Sequence, residues 1–196
     1  MNAFYESTLT ILNELGWGNH FQEEEPHVSL SLSLAETFHP VHVDFHEGTD
    51  LCRVHVLGWP RVEPEFRGEG MVWVNSANHG LTMGRMTWQD SPELSGQCLS
   101  HFSEWFADLE SLPVVLPRTI IFSVMLVDAH CRGMRRAKED HLEPEIAFAQ
   151  TMQECMKFLE LERINNAVNS ACPGYGVGQS WEWFKNQLGY DPDANA

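Results

Sequence analysis

The chain has 196 residues, 43% of them hydrophobic, which is enough to bury the core of one domain or of one domain with an appendage. Its 28 acidic and 12 basic residues give a net charge of −16, which argues against nucleic acid as a partner. Five scattered cysteines without a Cys-x-x-Cys pair predict reduced thiols. Since no leader or membrane-length apolar run is visible, we expect a cytoplasmic protein that does not enter a membrane.

The first predicted element is a helix over residues 3–15, which Asn2 can cap and Gly16 can end. Apolar side chains recur there at helical spacing, which predicts a stripe packed against a sheet. That stripe consists of Phe4, Thr8, Ile11, Leu12 and Leu15. Residues 22–26, which are acidic and end in proline, are expected to form a linker.

Three segments then alternate apolar and polar residues: 28–34, 41–45 and 51–56. This period of two places one set of side chains on each face of a strand. Short polar gaps between the segments predict an antiparallel meander with one buried and one wet face. On the second strand the wet face would carry His42, Asp44 and His46.

The next segments are less uniform. Residues 71–78 fit either a strand or a short helix, 81–88 predict a fourth strand, and 94–99 can return as a fifth. A period of 3.6 over residues 102–109 then predicts a helix. Residues 119–127 fit a buried strand, and a helix over 117–138 is equally compatible.

Two further helices are predicted at the end of the chain, one starting at Pro144 and a short one capped by Ser180. The expected fold class is therefore α+β. It consists of a twisted antiparallel sheet of about five strands, one N-terminal helix and several C-terminal helices.

Particular residues add a family resemblance to this order of elements. The run Leu-Asn-Glu-Leu-Gly-Trp at 12–17 looks like the end of a family's first helix. The run Val-Asn-Ser-Ala-Asn at 74–78 is similar to the Asn-x-x-Asn segment of the same family. In that family the segment leads into a strand that starts with glycine, as Gly-Arg-Met does at 84–86. Over about residues 4–137 the chain thus resembles the YbjN-like, class I type III secretion chaperone-like family.

The resemblance implies a helix at 71–78 and a chaperone-like α-β-β-β-α-β-β-α domain over residues 1–139. Residues 102–109 would then be an insertion, and residues 140–196 a helical extension packed on the domain. It also implies a small acidic homodimer that binds another protein, as a chaperone or a regulator, and that is not an enzyme.

The alternative function is a metal-dependent enzyme with its site at His42, Asp44 and His46. Imidazole and carboxylate groups are common metal ligands, but successive positions on one strand face lie ~7 Å apart. That is wide for a zinc ion bound at ~2 Å, so a neighbouring strand, for example at His55, would have to complete the site. A solvated strand face produces the same pattern, and no phosphate loop or Gly-x-Ser-x-Gly motif is present. Neither a metal nor another cofactor is therefore favoured.

Tryptophan is enriched at protein interfaces, and this chain has seven. The candidates for partner contacts are Trp73, Trp88, Trp181 and Trp183. For any one of them a place in the core is the commoner outcome. Trp181 and Trp183 stand two apart on a predicted helix and cannot both face one core, so one of them is the preferred exposed anchor. The predicted function is non-enzymatic protein binding.

Overall fold

The computed structural model describes residues 3–17, 21–24, 27–34, 37–45, 51–62, 64–81, 84–91 and 96–171. Residues 21–24, 64, 89–91, 96–97 and 158–171 are described by their backbone alone. The helices are α1 (Ala3–Glu14), α2 (Arg67–Gly80), α3 (Leu112–Glu139) and α4 (Pro144–Ala171), with a 3-10 turn at Pro64–Phe66. The strands are β1 (Phe21–Glu24), β2 (His27–Leu34), β3 (Thr37–Phe45), β4 (Leu51–Gly58), β5 (Arg85–Ser91) and β6 (Gly96–Phe106).

The predicted α+β class is confirmed, and so is the antiparallel meander. All pairs in the sheet are antiparallel, in the order β1-β2-β3-β4-β6-β5. Burial alternates along β4, where Cys52, Val54 and Val56 are fully buried between half-buried neighbours. One face of each strand therefore faces the core, as the alternation of the sequence requires.

Two predictions for single segments are wrong. The residues expected to form an acidic linker contain β1, which pairs with β2 at the edge of the sheet. No helix forms over 102–109, because residues 102–106 are the end of β6, which pairs with β4 and β5. Phe102 and Phe106 lie on one face of this strand and Trp105 on the other. Large apolar residues on both faces of a strand therefore produced the helical spacing.

The two ambiguous segments are both helical. Residues 71–78 lie within α2, as the family resemblance implied, and residues 119–127 lie within α3. In α3 the β-branched side chains of Ile120, Val124 and Val127 are buried against the sheet. Burial of this kind outweighs a strand propensity that spans only about 1 kcal/mol.

Helix α3 is the centre of the helical layer. It packs across β2, β3, β4 and β6 on the inner face of the sheet, while α1 lies beside it and α4 packs on its outer side. By length and composition α3 could cross a membrane, but 67% of its most apolar window is buried inside the fold. The core helix of a water-soluble protein passes the same test. The division into domains at residue 139 remains a prediction.

Asn78 connects α2 to the next strand. Its side-chain amide donates to the backbone carbonyl of Met86 at 2.9 Å, and its Oδ1 accepts from the Met86 N–H at 2.7 Å. Gly84 has φ +71°, and a Cβ there would lie 2.5 Å from the carbonyl oxygen of Phe102. The residues that carry the resemblance therefore fix how β5 enters the sheet.

A chain of ion pairs joins the three layers. His39 on β3 contacts Asp128 of α3 at 3.3 Å, and Arg132 donates to the same carboxylate at 2.8 Å. Glu154 of α4 then accepts from Arg136 at 2.9 Å and lies 3.4 Å from Arg132. Burial alone would raise the pKa of Asp128, but hydrogen bonds from His39 and Arg132 hold that pKa below its ordinary value.

Gly133 allows α3 and α4 to approach closely, and this gives a first prediction. A Cβ at Gly133 would lie 2.0 Å from Oγ1 of Thr151 and 2.9 Å from the indole of Trp73. We expect Gly133→Ala to lower the free energy of unfolding by about 1–3 kcal/mol, because the inserted methyl group overpacks the contact. Urea denaturation followed by circular dichroism measures this change.

Gly68 in the exposed first turn of α2 is the control, since a Cβ there meets nothing within 4 Å. Gly68→Ala should leave stability unchanged or raise it by up to about 1 kcal/mol, because alanine is the better helix former. Equal effects of the two substitutions would contradict the close packing of α3 on α4.

Candidate functional site

Among the described residues, every helix lies on the inner side of the sheet. We call the other side of strands β2 to β6 the open face. The registers of the strand pairs place its side chains in rows that run across the strands. The described side chains of the open face are His27, Ser29, Ser31, Ser33, Phe38, Pro40, His42, Asp44, Leu51, Arg53, His55, Leu57, Arg85, Thr87, Cys98, Ser100, Phe102, Glu104 and Phe106.

The central row of the open face is a ladder of rings. His42 stacks on His27 with centroids 5.2 Å apart and lies 6.0 Å from His55. His55 in turn meets the edge of Phe102 at 5.7 Å. The guanidinium groups of Arg53 and Arg85 lie over the Phe102 ring at 4.8 and 5.4 Å, as cation–π contacts require. Neighbouring side chains thus half-bury one another on a face that no described helix covers.

The adjacent row contains two polar cross-strand contacts, one between His27 and Asp44 and one between Arg53 and Glu104. Nδ1 of His27 lies 2.5 Å from Oδ1 of Asp44, and Nε of Arg53 donates to Glu104 at 2.7 Å. Arg53 also stands directly opposite Asp44 in the register of β3 and β4. Cross-strand pairs of opposite charge stabilise a sheet by roughly 0.2–1 kcal/mol each.

Two imidazoles of this ladder, His42 and His55, have pKa values below the ordinary value for histidine. Partial burial, followed by the nearby charge of His27, lowers the pKa of His42 below its ordinary value. Partial burial and the neighbouring His42 lower the pKa of His55 in the same way. Burial disfavours the charged form of a base, and a second imidazolium adds repulsion.

The sequence-predicted metal candidates are placed only in part. His42 and Asp44 do share the wet face of β3, whereas His46 lies outside the described residues. The groups that the structure brings to His42 are Ser29, whose hydroxyl is 2.9 Å from Nδ1, and His27. In the part of the chain that the structure describes, no three or more His, Cys, Asp or Glu side chains are grouped to hold a metal ion.

Of the four tryptophans predicted to contact a partner, the structure describes two. Trp73 is 4% exposed, donates from its indole to Nδ1 of His130 at 2.9 Å and so belongs to the core. Trp88 is half-buried on β5, and its ring packs against Gly70 of α2. A Cβ at Gly70 would lie 2.7 Å from the Trp88 ring. Trp181 and Trp183 lie outside the described residues.

The cysteines in the described part of the chain are free and buried. Burial raises the pKa of the Cys52 and Cys155 thiols to about 12, and it raises the pKa of Cys131 further still. Since the thiolate is the nucleophilic form, these thiols are inert packing groups at neutral pH. The Sγ of Cys155 lies 3.9 Å from Nε2 of His130, but neither group is exposed.

Sequence reasoning missed His27 and Ser29 as members of this cluster. Leu34 pairs with Thr37, so only residues 35 and 36 connect β2 to β3. That short connection places His27 opposite Asp44 and Ser29 opposite His42. An Ala-Glu pair lacks the glycine or asparagine that marks a two-residue hairpin, and the register was therefore not visible.

Comparisons with known proteins add little to this geometry. No protein-family model matches the chain, and no curated protein matches it at a significant level. Among solved structures, the chain is similar to the crystal structure of YbjN from E. coli, described as a putative transcription regulator. The identity is 11%, the TM-score is 0.48, and the match covers 69% of this chain and 92% of that one. A likeness of this degree concerns the fold and carries no functional conclusion.

The buried histidine of α3 gives a prediction for pH dependence. Burial, with a smaller effect of the His101 charge, lowers the pKa of His130 from 6.5 to about 4. Between these two values the unfolded chain binds a proton that the folded chain does not. Stability should therefore fall as the pH drops from about 6.5 to 4, by up to about 3 kcal/mol from this group.

Urea denaturation at several pH values measures this effect. In His130→Gln the amide oxygen can still accept the Trp73 hydrogen bond, but the side chain cannot titrate. We expect the variant to lose less stability on acidification than the wild type, by up to about 3 kcal/mol. His79→Gln, which changes an exposed histidine on α2, is the control. An unchanged acid response in His130→Gln would contradict the assignment.

Proposed function

We propose that the protein is a non-enzymatic protein-binding module, chaperone-like or regulatory, and that a polypeptide partner docks on the open face. The single observation that supports this proposal is the charge distribution. The chain has a net charge of −16, yet among the described side chains of the open face only four are charged, Asp44, Arg53, Arg85 and Glu104, and their charges sum to zero. The open face is thus a nearly neutral surface on a strongly acidic molecule.

A neutral face is easier to cover than a charged one. The cores of protein interfaces are depleted in charged residues and enriched in aromatic residues and arginine. The open face has this composition, since Phe102 lies between Arg53 and Arg85. Glu104 accepts from Arg53, and Asp44 accepts from His27. A partner that covers the open face therefore leaves neither carboxylate without a hydrogen bond.

Two exposed phenylalanines add anchor points at opposite corners of the open face. Phe38, near the start of β3, is 66% exposed, and Phe106, at the end of β6, is 80% exposed. Exposed aromatic side chains at the margins of a half-buried face favour contacts with another protein. The acidic remainder of the surface would favour a basic partner and speed its approach.

The buried acid–base pairs of the described residues are used for the packing of the fold. His39 and Asp128 form a pair of the kind that many enzymes use, but both are buried and serve to connect β3 to α3. His101 likewise contacts Ser123 of α3 at 2.9 Å inside the core. A catalytic pair has to reach a substrate in a cleft, and these pairs are used inside the fold instead.

Substitution on the two sides of the molecule tests the docking surface. We expect Phe38→Asp to reduce co-purification of the partner at least about 10-fold, because it places an unpaired charge in the interface. Met156→Asp is the matched control, since Met156 is 60% exposed on α4, which lies on the other side of the sheet. Quantitative affinity capture from the native cytosol compares the two variants with the wild type.

Equal capture by wild type and Phe38→Asp, with loss in Met156→Asp, would contradict docking on the open face. The absence of any protein that depends on either substitution would contradict protein binding itself. Both variants change exposed positions, so their melting temperatures should stay close to that of the wild type.

We further propose that the module is a homodimer in the cytoplasm. Light scattering of the purified chain should then give twice the 22.4 kDa mass of one chain. A mass of 22.4 kDa at micromolar concentration would contradict the dimer. It would leave docking of another protein on the open face as a separate question.

A further inference from the structure

Two imidazole nitrogens converge at one margin of the open face. Nε2 of His27 on β2 and Nδ1 of His42 on β3 lie 3.3 Å apart. Two nitrogens bound to one tetrahedral ion at about 2.0–2.1 Å are separated by about 3.3–3.4 Å. The spacing of the pair, which also allows a hydrogen bond, therefore matches the spacing of two ligands on one metal ion.

The hydroxyl of Ser29 marks the point of convergence. It lies 2.5 Å from Nε2 of His27 and 2.9 Å from Nδ1 of His42. A serine side chain changes its position by rotation about a single bond, so the hydroxyl can move aside without a change in the backbone. The two histidines themselves are fixed by the cross-strand stacking of their rings.

Asp44 orients the first of these ligands. Its carboxylate accepts from Nδ1 of His27 at 2.5 Å, which places the proton of the neutral ring on Nδ1 and leaves the lone pair on Nε2. Histidine ligands of metal ions have this arrangement, in which a carboxylate fixes the tautomer and the orientation of the ring. His27 is thus prepared to bind an ion through the nitrogen that faces His42.

We propose that His27 and His42 bind a divalent transition-metal ion, with Asp44 as a positioning residue and water in the remaining coordination positions. Imidazole ligands suit Zn²⁺, Ni²⁺ and Cu²⁺ and disfavour Mg²⁺ and Ca²⁺. His27 and Asp44 are about one-third exposed, so an ion can reach the pair from solvent. This site differs from the one expected from sequence, because His27 replaces His46 and Asp44 orients a ligand.

His55 is not a ligand in this proposal. It lies on β4, on the side of His42 that faces away from β2, and its ring is 6.0 Å from that of His42. Substitution of each histidine by phenylalanine keeps a ring in the ladder and removes the nitrogens. Comparison of the three variants therefore separates ligation from packing.

Calorimetric titration of the metal-free full-length protein with Zn²⁺ tests the site. We expect saturable one-to-one binding that is lost in His27→Phe and in His42→Phe and retained in His55→Phe. Asp44→Asn should weaken binding by about 10- to 100-fold, the usual effect of losing a carboxylate that orients a histidine ligand. Mg²⁺ should produce no saturable heat.

Absence of saturable Zn²⁺ binding to the wild type would overturn the proposal, and so would binding that survives both His27→Phe and His42→Phe. Loss of binding in His55→Phe would overturn the choice of ligands. Far-UV circular dichroism verifies that each variant is folded, and His42→Gln is the second variant should His42→Phe unfold. Because the titration contains no protein partner, its failure does not bear on the proposed docking function.

Discussion

The burial of one face of the sheet under α3 is the constraint on which the rest of the structure depends. Val41, Val43, Val54 and Val56 alternate along β3 and β4 and are fully buried on the inner side. Each buried aliphatic side chain of this size contributes about 1.5–3 kcal/mol, so the register of the meander is strongly determined. The same alternation requires the side chains next to these valines to point to the outer side of the sheet. Among them are His42, Asp44, Arg53 and His55.

Buried polar contacts then fix where the helices lie on this apolar surface. The pairs His39–Asp128, His101–Ser123 and Trp73–His130 each include one residue of α3. Apolar packing alone would allow α3 to slide along the sheet. A buried donor or acceptor left without a hydrogen-bond partner, however, costs about 1–3 kcal/mol. These contacts set the register of α3 against the sheet and against α2, and their titratable groups are unavailable for chemistry.

Sequence reasoning recovered the features that depend on periodicity. The antiparallel meander, the N-terminal helix and the burial of Val43, Phe45 and Val56 follow from spacing alone. It failed at β6, because Phe102, Trp105 and Phe106 occupy both faces of a strand and imitate a helix. The His27–Asp44 contact was equally hidden, since it depends on a hairpin register that the Ala-Glu connection does not signal.

Selective chemical modification of histidines tests the central claim, that one face of the sheet is buried and the other is free. Diethyl pyrocarbonate labelling read by mass spectrometry should modify His42 and His55 in the folded protein and spare His39, His101 and His130 until urea unfolds the chain. Modification of His39 as fast as that of His55 under native conditions would contradict the account.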